Sequence, residues 1–136
     1  GPQGEENVAR AAHNLAGQGE RPVGEALLDQ RVAAGIGTIY MAETLWEHRL
    51  NPWCRARSVP DPRALYATAA FLMRRSADGP ELTATGLLGP GLRSHVHGRA
   101  GRPCRRCGTA IVEDEVGAAP YARPVFYCPS CQPPVD

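Results

Sequence analysis

Two Cys-x-x-C pairs constrain this chain more than any other feature. Cys104-Arg105-Arg106-Cys107 and Cys128-Pro129-Ser130-Cys131 are separated by 20 residues. This is the spacing of two knuckles that a β-hairpin brings together around one zinc ion. Two thiolates three residues apart can both face inward from a single tight turn, and Gly108 and Pro129 suit such turns. Four sulfurs saturate tetrahedral Zn²⁺ and leave no position for a catalytic water, so the predicted cofactor is one structural zinc held by Cys104, Cys107, Cys128 and Cys131. The competing chemistries are disulfides, which need an oxidising compartment, and a thioredoxin-like redox pair, which needs one Cys-x-x-C opening a helix in a βαβ context. The sequence around these cysteines supplies neither. Cys54, the fifth cysteine, is expected to be a buried or incidental thiol.

Between the pairs, Ala110–Val116 and Arg123–Tyr127 are short and β-prone, separated by Gly117-Ala118-Ala119-Pro120, which predicts the hairpin itself. The tail has few large apolar side chains, so metal is expected to dominate its folding.

Upstream the pattern is helical. Val8, Ala11, Ala12 and Leu15 recur at helical spacing in Glu5–Ala16, and Arg21-Pro22 opens a second helix over Val23–Gln30. A third runs from Thr38 to about Arg49, with Ile39, Ala42, Trp46 and Leu50 on one face and Met41 and Leu45 widening it, until Asn51-Pro52 ends it. Asp61-Pro62 caps a fourth, which extends to about Arg75 with Leu65, Ala69, Leu72 and Met73 inward. Residues 76–101 hold six glycines and two prolines without a period and are expected to be a long functional or mobile loop. The expected fold class is mainly α: a four-helix domain over 5–92, containing loop 76–92, followed by a β-hairpin zinc finger over 93–136. Gly1-Pro2-Gln3-Gly4 is expected to be a scar of protease cleavage or expression. No apolar run approaches the roughly 18–20 residues of a membrane span and no secretory leader opens the chain, so a soluble protein is expected.

Charge narrows the function. All 15 basic residues are arginines, which removes lysine Schiff-base chemistry, the phosphate-loop lysine and any Ser–Lys dyad. Such a bias also follows from a GC-rich genome, but arginine is the better bidentate phosphate ligand. Residues 1–92 carry nine arginines against ten acids, whereas 93–112 carry Arg93, Arg99, Arg102, Arg105 and Arg106 with no acid. That local field, organised around a zinc hairpin, favours phosphate contact. Gly35-Ile36-Gly37-Thr38 offers a second anion site, because glycines ahead of a helix expose backbone N–H groups at its positive end.

Together these segments resemble a known family. Glu25-Ala26-Leu27-Leu28-Asp29-Gln30-Arg31, then Ala34-Gly35-Ile36-Gly37-Thr38-Ile39-Tyr40 and Glu43, are similar to the helix–two-turn–helix segment of the formamidopyrimidine-DNA glycosylase / endonuclease VIII family. His97-Gly98-Arg99 through Cys107-Gly108, and Arg123 through Gln132, are similar to its zinc finger. The Arg123-Pro124 pair looks more like the endonuclease VIII branch. The resemblance implies base-excision repair by a DNA glycosylase/AP lyase that extrudes a damaged base and nicks the backbone by β-elimination. It implies duplex DNA carrying a damaged base or abasic site as partner, and a monomer in the bacterial cytoplasm, associated with the nucleoid.

By position, Gly37 and Thr38 would lie at a lesion-flanking phosphate, and Gly35 belongs to the same anion-seeking turn. Arg123 would reach phosphates beside the extruded nucleotide, and Arg99, Arg105 and Arg106 would add phosphate contacts around the first knuckle. The family usually has Asn where this chain has Thr38, and threonine lacks the amide's reach. Family enzymes attack with an N-terminal proline followed by glutamate, on a β-sandwich that precedes these segments. Here Gly1 acylates Pro2 and Gln3 stands at the glutamate position, so no catalytic residue is expected in this chain; Glu43 is expected to be a structural carboxylate. The alternative function is a zinc-stabilised protein-interaction module, using the glycine-rich loop and Glu113-Asp114-Glu115.

Overall fold

In a computed structural model, the structure describes residues 2–77, 85 and 94–135. Among the described residues it contains helices α1 (Pro2–Ala16), α2 (Val23–Leu28), α3 (Thr38–Glu47) and α4 (Pro62–Ala77), a 3₁₀ turn at Ala56–Ser58, and strands β1 (Val112–Val116) and β2 (Arg123–Tyr127). The strands form one antiparallel hairpin, in register from Val112 opposite Tyr127 to Val116 opposite Arg123. The architecture is mostly helical, with this small hairpin near the C-terminus.

Local chemistry sets the boundaries. Residues 2–4 belong to the first turn of α1, so the helix starts three residues before Glu5, the start expected from the apolar spacing; proline is tolerated there because its missing N–H has no helical partner. α2 stops at Leu28, two residues early. Asp29 takes an extended ψ of 112°, and its carboxylate accepts the Arg31 amide at 2.8 Å in an Asx turn. The guanidinium groups of Arg21 and Arg31 lie 2.7 and 2.9 Å from the same carboxylate. α3 ends in a Schellman-type turn, with Leu50 N–H donating to Leu45 O at 2.9 Å across Arg49 at φ 56°. α4 opens as the sequence predicts, Asp61 Oδ1 accepting the Ala64 amide at 3.0 Å. Of the expected loop at 76–101, residues 76 and 77 belong to α4, while 78–84 and 86–93 lie outside the described residues. Residues 94–101 form a chain of turns.

α3 is the centre of the molecule. Every residue from Tyr40 to Trp46 is buried, because α2, α4 and the hairpin all pack on it. An apolar stripe on one face underestimates this: the helix is enclosed on several sides, so its polar residues must find partners inside the protein. The main core gathers Leu15, Val23, Leu27, Met41, Leu45, Leu65 and Leu72 with Val116 and Val125 of the hairpin. A second cluster joins Ala42 and Trp46 of α3 to Val96, Ile111, Phe126, Cys104, Cys128 and Cys131. The cysteine hairpin thus takes much of its apolar packing from the helices, which is how so small a tail acquires a core. Cys54 lies in the helical core, where burial pushes its thiol up from the ordinary value.

Candidate nucleic-acid interface and metal centre

The four cysteines predicted from spacing converge. Their sulfurs all lie within 4.8 Å of one another, with Cys104 and Cys131 at 3.9 Å and Cys107 and Cys128 at 3.5 Å. Four Zn–S bonds of ~2.3 Å in a tetrahedron require edges of about 3.8 Å, so the cage has the size of a Cys₄ metal site. These separations are far beyond the ~2.05 Å of a disulfide. Each knuckle is closed by its own turn: Cys104 N–H donates to Thr109 O at 2.7 Å, and Gln132 N–H to Cys128 O at 2.9 Å. Gly108, at φ 83°, supplies the left-handed step after the first pair. Hydrogen bonds from Thr109 pull the Cys107 thiol down to about 6, while burial pushes Cys128 up to about 12. A cation in the cage would favour the thiolate form at all four.

α3 furnishes the surroundings of the cage. Trp46 Nε1–H donates to Cys104 Sγ at 3.4 Å, and Arg106 Nε–H to Cys131 Sγ at 3.3 Å. The Arg106 guanidinium lies 3.9 Å over the Trp46 ring and donates to Trp46 O at 2.8 Å. His95 stacks on the same indole, centroid to centroid 4.3 Å. Burial, followed by the charges of Arg105, Arg75, Arg99 and Arg106, pushes His95 down to about 4.

Two further polar latches fasten the hairpin. The buried Glu43 carboxylate accepts three successive amides, His95 at 2.6 Å, Val96 at 2.9 Å and His97 at 3.0 Å. Burial pushes its carboxyl up, and the three amides work against that. Gln132, fully buried, accepts the Cys128 amide and donates to Leu50 O, each at 2.9 Å, while Asn51 Nδ2 donates to Gln132 O at 2.9 Å. From sequence, Asn51 has only a helix-ending role, Trp46 only an apolar one, and Gln30 and Gln132 no hydrogen-bonding role. The available signal was the position of Gln132 immediately after the last cysteine.

The seven residues expected to touch DNA lie in separate places. Gly37 is the N-cap of α3 and makes no side-chain cap hydrogen bond; it is exposed, and Thr38 is half-buried. The first-turn N–H groups of a helix have no partner within the helix, so this mouth offers donors to an anion. Gly35, at φ 99°, shapes the turn, and its amide is already taken by Gln30 Oε1 at 2.7 Å. Arg106 grips Trp46 at the other end of α3, eight residues or about 12 Å from Thr38. Arg99 is also turned toward the protein, donating to His95 O at 2.7 Å and Pro103 O at 3.0 Å. Arg105 is exposed and donates to Ser94 O at 2.6 Å. Arg123 is exposed at the start of β2, within 3.4 Å of the Tyr121 and Ala122 carbonyls.

A helix–turn–helix pair whose second helix serves as the core of a Cys₄ hairpin is the arrangement of a known class of DNA-repair proteins. The chain belongs to the formamidopyrimidine-DNA glycosylase family: residues 2–80 match its H2TH domain. It is 42% identical over 125 residues to the "Probable endonuclease 8 2" of Streptomyces coelicolor, covering 90% of this chain and 45% of that one. It is 39% identical over 132 residues to the "DNA-(apurinic or apyrimidinic site) lyase Nei2" of Mycolicibacterium smegmatis, covering 97% and 50%. The crystal structure of the MutM (Fpg) protein of Thermus thermophilus superimposes with a TM-score of 0.75 at 32% identity, over 92% of this chain and 49% of that one. The chain spans about half the length of the relatives it matches. No helix among the described residues is long and apolar enough to cross a membrane.

Proposed function

We propose that this chain is the damaged-DNA-binding portion of a base-excision-repair DNA glycosylase/AP lyase, gripping phosphates around an extruded nucleotide. The observation that carries it is the uncapped N-terminus of α3, at Gly37 and Thr38, on the same helix that packs the Cys₄ hairpin. An anion-seeking mouth and a rigid cationic finger are thereby held on one frame. The abasic-site lyase activity in the name of the Mycolicibacterium relative agrees with it.

Cys104, Cys107, Cys128 and Cys131 hold one zinc ion in this proposal. A zinc with four thiolates cross-links the two knuckles and supplies no open coordination position. Gly37 and Thr38 present backbone N–H groups to a phosphate, while Arg105 and Arg123 supply exposed cations. Gly35 acts by shaping the turn, and Arg99 and Arg106 act chiefly by holding the first knuckle. Glu43 serves as a structural clamp, and the glycosidic and β-elimination chemistry belongs to another part of the parent enzyme. Functionally, 5–92 is the helical binding unit and 93–136 the finger.

Titration of duplex containing an abasic-site analogue at two salt concentrations tests this. With Arg105 and Arg123 on phosphates, log K should fall with log salt at a slope of about −2, and Arg123→Ala should reduce that slope by about one. Salt-independent binding, or an unchanged slope in the variant, would refute the assignment. The exposed acids Glu113, Asp114 and Glu115 on β1 favour a second reading, a zinc-stabilised protein-interaction module. It gains ground if the metal-loaded chain ignores duplex at low salt yet retains a protein partner in a pull-down.

A further inference from the structure

The hairpin tip carries a side chain that neither the packing nor the phosphate grip uses. Tyr121 is 77% exposed, against 52% for Phe71 and 36% for Trp53. Its backbone is nevertheless well fixed. Tyr121 N–H donates to Ala118 O at 2.8 Å, closing the turn between Val116 and Arg123. Gly117, at φ 85°, reverses the chain so that a side chain there would lie 3.6 Å from the Tyr121 carbonyl. The Arg123 guanidinium folds back on that same carbonyl and on Ala122 O, at 3.4 Å each. Bonds of that length are weak, and the group can exchange them for a phosphate at little cost.

The tip therefore combines an aromatic face that packs on no ring among the described residues with a loosely held cation, on a turn whose backbone is fixed. This pairing suits unstacked nucleic acid, since every base presents a π-face and every nucleotide a phosphate. The flank of the hairpin is unsuited to phosphate, because Glu113, Asp114 and Glu115 are exposed along β1. Of the two strands and their turn, the tip is thereby the part suited to contact.

We propose that Tyr121 is a stacking residue: its ring packs on a base left unstacked beside the gap of an extruded or missing nucleotide, while Arg123 holds the neighbouring phosphate. This rests on the DNA reading above and adds selectivity for gapped stacks over intact duplex. Extruding a nucleotide removes one neighbour from each flanking base, and an aromatic ring replaces part of that lost stacking.

The test is fluorescence anisotropy of the metal-loaded chain on two duplexes, one intact and one with a tetrahydrofuran abasic analogue flanked by 2-aminopurine. Tyr121→Ala should weaken binding to the analogue duplex by about tenfold. It should leave intact duplex and the salt slope unchanged and abolish the change in 2-aminopurine emission. Tyr121→Phe should bind like the parent, because the ring and not the hydroxyl does the stacking. Equal affinity of Tyr121→Ala and parent for the analogue duplex, with normal salt dependence in both, overturns the stacking role and leaves the phosphate grip standing. An equal loss in Tyr121→Phe also overturns it. If the parent binds neither duplex at low salt, the DNA reading falls first and takes this inference with it.

Discussion

Glu43 offers the most direct check on how the Cys₄ hairpin is joined to the helices. Its carboxylate, 1% exposed, is the acceptor for three consecutive backbone amides at residues 95–97, one of which belongs to the fully buried Val96. Glutamine keeps the size of the side chain but turns an NH₂ toward this row of donors. Its one carbonyl oxygen can serve two of them, so at least one of these N–H groups loses its partner. A buried unsatisfied donor costs about 1–3 kcal/mol, which is the expected destabilisation of Glu43→Gln. Glu43→Ala leaves all three amides unserved and should cost more, about 3–5 kcal/mol, partly offset because no charge is then buried. Urea unfolding of the zinc-loaded chain gives the stability. Amide hydrogen exchange locates the damage, since protection should fall first at residues 95–97. Stabilities within about 0.5 kcal/mol of the parent for both variants would refute the clamp, as would fast exchange of the three amides in the parent itself.

Two further outcomes follow from the same neighbourhood. Trp46→Phe keeps an aromatic ring beneath Arg106 but removes the hydrogen bond to Cys104, and Arg106→Ala removes the one to Cys131. Partners of metal ligands are commonly worth 10–100-fold in affinity, so chelator competition should show loss of the proposed zinc at roughly tenfold lower chelator for each variant; unchanged competition curves would show these contacts to be incidental. His95 is pushed down to about 4 in the folded protein, by burial first and the four arginines after it, with the Glu47 carboxylate 3.9 Å away. A depressed folded value means the imidazole is neutral when folded and takes a proton more readily when unfolded. Its share of stability is therefore complete above the ordinary value of 6.5 and drains away as pH falls toward 4. Protonation of the cysteines acts in the same direction, so the comparison is between variants. His95→Gln should lose less stability than the parent between pH 7 and 5, and parallel urea midpoints would refute it.

Much of this was legible in the sequence because it rests on local rules. The two Cys-x-x-C pairs fix their own knuckles, since three-residue spacing, with Gly108 after the first pair and Pro129 inside the second, dictates a turn wherever the segment lies. The hairpin strands at 112–116 and 123–127 fall within the predicted runs, and the Asp61-Pro62 cap and the start of α3 at Thr38 appear where residue chemistry puts them. The helical repeat also identified Leu15, Met41, Leu45, Leu65 and Leu72 as core.

Charge says less about where each side chain goes. A run of arginines in sequence says only that positive charge is near, whereas each guanidinium bonds whatever acceptor the folded chain leaves within reach. Arg105 and Arg123 stay exposed, while Arg106 is drawn onto the Trp46 ring and main chain and Arg99 onto two carbonyls. Those acceptors lie up to 60 residues away in sequence.

The sequence by itself determined most of the elements and the pairing of the four cysteines, because spacing and turn chemistry act over a few residues, and its motifs carried the family resemblance. Only the tertiary structure decided that α3 would be enclosed on several sides. Enclosure is a property of neighbours, and α2, α4 and the hairpin together cover that helix. Once it is enclosed, Glu43, Asn51 and Gln132 must bond inward because water cannot reach them. It is this long-range bonding, from residue 43 to 95–97 and from 50 and 51 to 132, that makes the finger and the helices a single frame.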